Sequence, residues 1–214
     1  MKKTFFYPLA ATFVLLLGAC KDEEAKSPSI TDPSVYVWVD DKKGAPIAAN
    51  PLNSGDGWRL ENARVSDNRL VLGPATWSQA QREIDLAAVP GWQIEMDVTP
   101  NALAGSNEIQ WESDKAGNYY QFVLYTDIGK YFINRKGTSA TFGPATESRA
   151  IEGYSKDKAF TLTIRKANDK LHFFIDKKFV VSRSYEAGYG KGLDLLGMNN
   201  SQATISNISI IKTK

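Results

Sequence analysis

Cysteine is almost missing from these 214 residues: Cys20 is the only one, so neither an internal disulfide nor a cysteine-based metal site can form. Histidine is as scarce. His172 stands alone, which excludes a His-rich metal centre and leaves no readable Ser–His pairing for nucleophilic catalysis. It alternates with Leu171 and Phe173, so it is expected on the side of its strand away from the core, satisfied by a neighbour or open to solvent. Neither sign of charge dominates, with 26 basic against 24 acidic residues. A nucleic-acid partner needs a basic footprint, and none is present. The uncharged run at residues 5–19 is shorter than the about 20 residues that a membrane-spanning helix requires. Beyond it no stretch has a long helical period.

What is there begins at the front. Lys2 and Lys3, the uncharged run and the small residues at its end make a secretory leader. Leu17-Gly18-Ala19-Cys20 matches the bacterial lipobox, in which the cysteine is acylated and the leader is cut just before it. The plainer alternative is an ordinary leader with an incidental cysteine, but the sole cysteine of the chain stands at the required place. Cys20 is therefore the expected lipidation site, and several acyl chains hold a protein stably where one alone does not. Lys21-Asp22-Glu23-Glu24 resembles the export signal of surface lipoproteins in one group of Gram-negative bacteria. The alternative is a solvated charge run. The expected location is the outer membrane, lipid-anchored and facing the cell exterior. Loss of the leader removes two lysines and leaves 24 charges of each sign, so the membrane partner is reached through lipid rather than charge. The expected organisation is a leader at 1–19, a polar lipidated tether at 20–34 with Pro28 and Pro33, and one domain at 35–214.

That domain reads as strand after strand. Residues 91–98 alternate strictly, with Trp92, Ile94, Met96 and Val98 on one face and Gln93, Glu95 and Asp97 on the other. Two aromatic-rich runs, 119–126 and 130–135, flank Asp127-Ile128-Gly129 and read as a hairpin. Residues 159–166 follow, then a turn at Asn168-Asp169, strands at 171–176 and 179–185 around Lys177-Lys178, and strands at 192–198 and 203–211. Short strands at 58–60, 64–65 and 69–72 surround Asp67-Asn68. Many short strands with regular turn signals mean an all-β sandwich or barrel. Trp92, Phe122, Leu124, Phe160, Leu162, Phe173 and Ile208 are the expected core.

The second half carries a recognisable order. A polar turn at 114–118 leads to Tyr119-Tyr120-Gln121-Phe122. Then come Phe160-Thr-Leu-Thr-Ile164, Leu171-His-Phe-Phe-Ile-Asp176, Phe179-Val-Val181, a glycine-rich stretch at 188–197 and Ala203-Thr-Ile-Ser-Asn-Ile-Ser-Ile210. This resembles the concanavalin A-like (laminin-G-like) jelly roll over roughly residues 55–212. The resemblance implies an all-β, two-sheet antiparallel sandwich with one concave sheet, the face that carbohydrate-binding and carbohydrate-cleaving members both use. It also admits a structural calcium, with Asp194, Asn199 and Asn200, or Asp114 and Asn118, as candidate ligands.

Glu108-Ile-Gln-Trp-Glu112 resembles the E-x-D-x-E strand of retaining glycosidases in that superfamily. A period of two sends Glu108, Gln110 and Glu112 to one face, where two carboxyls about 5 Å apart act as nucleophile and acid/base. Gln110 stands where the central Asp belongs, and an amide cannot share a proton with a nucleophile. Three readings remain open: a glycosidase on Glu108 and Glu112, a non-catalytic relic or acidic face that touches a ligand, or a plain solvated strand face. If Tyr120, Phe122 and Leu124 face the core, Tyr119, Gln121 and Tyr125 face outward beside that strand. Tyr, Gln and Glu on one sheet face suit a saccharide, because sugar CH faces stack on aromatic planes while hydroxyls meet the polar groups. The leading expectation is a glycan-binding module without turnover. The alternatives are a glycoside hydrolase and an accessory protein that pairs with another envelope protein. Convergence of Trp77, Trp111, Tyr119 and Tyr125 on one patch would favour the ligand.

Overall fold

Three pairs of adjacent residues, Asp67-Asn68, Asn168-Asp169 and Asp176-Lys177, have φ between 49° and 65°. Two consecutive positive-φ residues make the turn whose twist matches a pair of antiparallel strands, and Asn and Asp tolerate that conformation best. Each pair closes a two-residue hairpin. The last turn lies one residue earlier than expected. Lys178 pairs with Ile175 inside the sheet, and Asp176 takes the left-handed position that a second lysine would fill poorly.

The computed structural model describes residues 46–47, 52, 57–136, 148–186 and 188–213. The leader, Cys20, the tether at 20–34 and Trp38 lie outside them. The described residues belong to one compact unit, Asp32–Lys214. Its strands are β1 (Arg59–Glu61), β2 (Ala63–Ser66), β3 (Arg69–Leu72), β4 (Trp77–Glu83), β5 (Trp92–Pro100), β6 (Ser106–Ser113) and β7 (Tyr119–Tyr125). The series continues with β8 (Lys130–Lys136), β9 (Arg149–Ala150), β10 (Phe160–Ala167), β11 (Lys170–Ile175), β12 (Lys178–Ser184), β13 (Gly192–Met198) and β14 (Ala203–Lys212). Among the described residues there is no helix. Two seven-stranded sheets form, one in the order β1-β4-β13-β6-β7-β8-β9 and the other β12-β11-β10-β5-β14-β3-β2. All pairings are antiparallel. This is the jelly-roll sandwich.

The alternating strands meet in the middle. Trp92, Ile94, Met96 and Val98 of β5 are at most 1% exposed, and every residue of the expected core is buried. Aromatic rings tie the sheets together. Trp111 of β6 stacks on Tyr120 of β7 at 5.8 Å and lies 5.9 Å from Phe173, which belongs to β11 in the opposite sheet. His172 faces the side of β11 away from that core, as alternation requires. It is nonetheless 1% exposed, with Nδ1 2.7 Å from Ser182 Oγ, and burial lowers its pKa to about 4, so it is neutral.

One central strand was invisible in the apolar pattern. The core-facing residues of β4 include Ser78 and Ala80, both fully buried, and Ser78 packs beneath Gly197 of β13. Small side chains there let the strands approach closely but leave no apolar alternation to read.

The interlocking rings make a test. Trp111→Ala removes a fully buried ring that touches both sheets, and the expected loss is about 3–5 kcal/mol, read from the urea midpoint. A loss below about 1 kcal/mol would mean that the rings do not join the sheets.

Candidate functional site

The sheet built around β13, β6 and β7 turns one set of side chains away from the core, and its registers arrange them in rows across the strands. Gln81 of β4, Asp194 of β13, Gln110 of β6, Gln121 of β7 and Asn134 of β8 are successive partners. They form an unbroken polar row over five strands. One step along lie Gln79, Leu196, Glu108, Val123 and Phe132, and one further lie Trp77, Met198, Ser106, Tyr125 and Lys130. The face therefore grades from amide and carboxyl groups at one end to aromatic and thioether groups at the other.

Its floor is nearly closed to solvent while its aromatic end is open. Gln110 and Gln121 are 8% exposed and Asp194 3%, against 40% for Tyr125 and 36% for Trp77. Gln110 and Asp194 of the floor are hydrogen-bonded, as buried polar groups commonly are. Gln110 Nε2 donates to Glu108 Oε2 at 3.0 Å, Gln79 Nε2 donates to Asp194 Oδ1 at 3.2 Å, and Ser113 Oγ donates to Asp194 Oδ2. Burial raises the pKa of Glu108, and the Gln110 amide partly offsets it. The Tyr119 hydroxyl is also pushed up, by burial and then by the charge of Glu108, which places the two in one electrostatic neighbourhood. Glu108, Gln110, Tyr119, Gln121 and Tyr125 thus share this face.

Glu112 does not. In β13 the pairing slips between Gly192 and Leu193, which face Ser113 and Trp111, so Glu112 is the extra residue of a β-bulge with φ 51°. The bulge sends Trp111 and Glu112 to the same side, and Glu112 is fully buried at one end of the sandwich. Tyr185 Oη donates to both of its carboxyl oxygens at 3.0 Å. Burial lifts its pKa from 4.5 to about 7, against the lowering effect of Tyr185 and Lys166. Glu108 and Glu112 consequently point to opposite faces of β6. The carboxylate pair expected of a retaining glycosidase is not formed by these two residues, because the bulge breaks the period of two on which that expectation rested. Trp111 likewise lies in the core. Trp77 and Tyr125 share a row three strand spacings apart, about 14 Å, while Tyr119 stands at the far end of β7, about 20 Å from Tyr125. The aromatics flank the face rather than converge on one point.

A groove of about 330 Å³ adjoins the polar end, lined in part by Gln81, Glu83, Ser113, Asp114, Gly190 and Lys191. Of the two candidate sets of calcium ligands, Asp114 and Asn118 are in contact, whereas Asp194 and Asn199 are separated along the chain. Asp194 stands five residues along the chain from Asn199, about 16 Å in extended strand. Asp114 already accepts from the amides of Ala116 and Asn118 and from Asn118 Nδ2, at 2.7–2.9 Å. Among the described residues no three of His, Cys, Asp and Glu are grouped to hold a metal.

The fold is that of a two-sheet antiparallel jelly-roll sandwich. Its solved counterparts include the carbohydrate binding module CBM66 from Bacillus subtilis, at 14% identity and TM-score 0.55, covering 73% of this chain and 96% of that one. The metal-free carbohydrate recognition domain of Emp46p matches at 12% identity and TM-score 0.60, over 80% of this chain and 98% of that one. The Ca2+/Man-bound exoplasmic/lumenal domain of VIP36 matches at 8% identity and TM-score 0.60, over 80% and 91%. At these identities the likeness is one of fold. No protein-family description and no curated protein matches the sequence.

The buried carboxyl predicts a pH profile. A folded-state pKa raised from 4.5 to about 7 stabilises the fold fully below pH 4.5, and that contribution is lost as pH rises through about 7. The stability difference between wild type and Glu112→Gln should shift against the wild type by on the order of 3 kcal/mol across that window. Urea titrations at pH 4.5, 6 and 8 measure it. A difference independent of pH would refute the assignment.

Proposed function

We propose that this protein is a lipid-anchored, cell-surface glycan-binding module that holds its ligand without turning it over. The observation that carries the reading is the polar row of Gln81, Asp194, Gln110, Gln121 and Asn134. It lies on one face of a jelly-roll sheet and is bordered by Tyr119, Tyr125 and Trp77. Amides and carboxylates supply the donors and acceptors that sugar hydroxyls need, and the flanking rings supply stacking surface for their CH faces. Solved structures of similar fold include a carbohydrate binding module and a carbohydrate recognition domain, which supports the reading. Acylation at Cys20 and the Lys21-Asp22-Glu23-Glu24 segment support display at the outer surface of the outer membrane, where polymeric glycans are met.

Binding here needs no proton transfer. The ligand rests on side chains already oriented by their neighbours: Gln110 by Glu108, and Asp194 by Ser113 and Gln79. Such preorganisation limits the entropy lost on association.

Affinity electrophoresis of residues 21–214 through gels cast with a panel of plant, algal and microbial polysaccharides tests this. At least one gel should retard the protein. Gln121→Ala and Tyr125→Ala should each weaken that retardation by about tenfold, the worth of about 1.4 kcal/mol. Unaltered mobility in every gel would remove the glycan reading. Reducing sugar released from the retarding polymer would remove the claim of no turnover.

A further inference from the structure

The chain between β12 and β13 is fastened to β6 almost wholly through one residue. Tyr185 Oη donates to the Glu112 carboxyl, and the Gly190 amide donates to the Glu112 carbonyl at 3.0 Å. Gly188 lies against the carboxyl itself: a Cβ at that position would stand 2.2 Å from Glu112 Oε2, so the carboxyl would have to shift to admit one. The same connection then supplies Gly190 and Lys191 to the groove beside the polar row. Glu112 thus meets this wall of the groove from the inside, its carboxyl at Tyr185 and Gly188 and its carbonyl at Gly190, while the Lys191 carbonyl accepts from the Ile84 amide at 2.6 Å.

We propose that Glu112 is the positioning residue of this wall: its neutral carboxyl docks Tyr185 and Gly188 against β6, beside the Gly190 amide held by its backbone carbonyl, and ionisation of the carboxyl undocks them. The charged and titratable groups around it favour that behaviour. Lys166 of β10 is the nearest cation, but its Nζ sits 4.2 Å from the Tyr185 ring centroid and 3.4 Å from the Val89 carbonyl, and it forms no ion pair with Glu112. Asp85, between β4 and β5, adds a like charge while itself paired to Lys191 at 2.7 Å. Tyr120 of β7 stacks on Tyr185, and its hydroxyl is committed to the backbone of Glu186. Arg135 of β8 is paired with the Glu186 carboxylate. A carboxylate formed at this place is therefore a buried charge whose one side-chain hydrogen-bond donor among the described residues is a phenol. Moving Gly188 and Tyr185 aside to admit water relieves it. The raised pKa of Glu112 places the end of that undocking near neutral pH.

This inference rests on the glycan reading for its consequence, a binding groove that loosens as pH rises. The docking itself is tested without any glycan, so failure of the two ideas is distinguishable. Amide exchange of Gly190, followed by NMR between pH 5 and 8.5 and corrected for base-catalysed intrinsic exchange, reports the docked state. In the wild type its protection should fall by about tenfold or more between pH 5 and about 7 and level off above it. In Glu112→Gln the amide should stay protected throughout. Tyr185→Phe, which keeps the ring stack but loses a donor that favours the carboxylate, should move the end of the fall upward. Constant protection in the wild type, an equal fall in Glu112→Gln, or a fall whose end is unmoved by Tyr185→Phe would overturn the proposal.

Discussion

One extra residue in β6 governs how this sandwich presents its chemistry. Without the bulge opposite Gly192 and Leu193, Glu112 would follow Glu108 and Gln110 to the outer face, and Ser113 would turn inward. With it, Glu112 enters the interior and Ser113 emerges to bind Asp194. A bulge costs ladder pairing and here a left-handed backbone at a non-glycine residue. What holds it is the inward environment: the Tyr185 hydroxyl on the carboxyl, the Gly190 amide on the carbonyl, and Gly188 leaving room between them.

From that point both faces of the sheet become intelligible. Inward, Trp111 and Tyr120 stack and meet Phe173 of the opposite sheet, and Tyr185 extends the stack toward Glu112. Outward, the period of two survives from β4 to β8 and lays down rows of like chemistry, polar at the end near the bulge and aromatic at the other. Gln79, Gln110 and Ser113 spend their donors on Asp194 and Glu108, which fixes their orientation before any ligand arrives. Groove and core end are mechanically joined, because Ser113 and Gly190 line the groove while Glu112 sits between them on the other side of the strand.

Much of this was legible in the chain. The alternation at Trp92, Ile94, Met96 and Val98, and the Asn/Asp pairs at the hairpins, correspond to β5 and to the positive-φ turns of the structure. Tyr119, Gln121 and Tyr125 stand opposite Tyr120, Phe122 and Leu124 as a pleat demands. Other features left no local mark. Ser78 and Ala80 of β4 are buried because Gly197 lies over Ser78, which an apolar pattern cannot register. Asp194 joins the polar row only because β13 runs between β4 and β6.

The sequence by itself determined most of the strands and their hairpin turns, since each rests on residues close in the chain and on the strict period of a pleated strand. Only the tertiary structure decided where Glu112 points and which residues share the outer face. A bulge is set by the register of a strand some 80 residues away, and no spacing within Glu108-Ile-Gln-Trp-Glu112 carries that information.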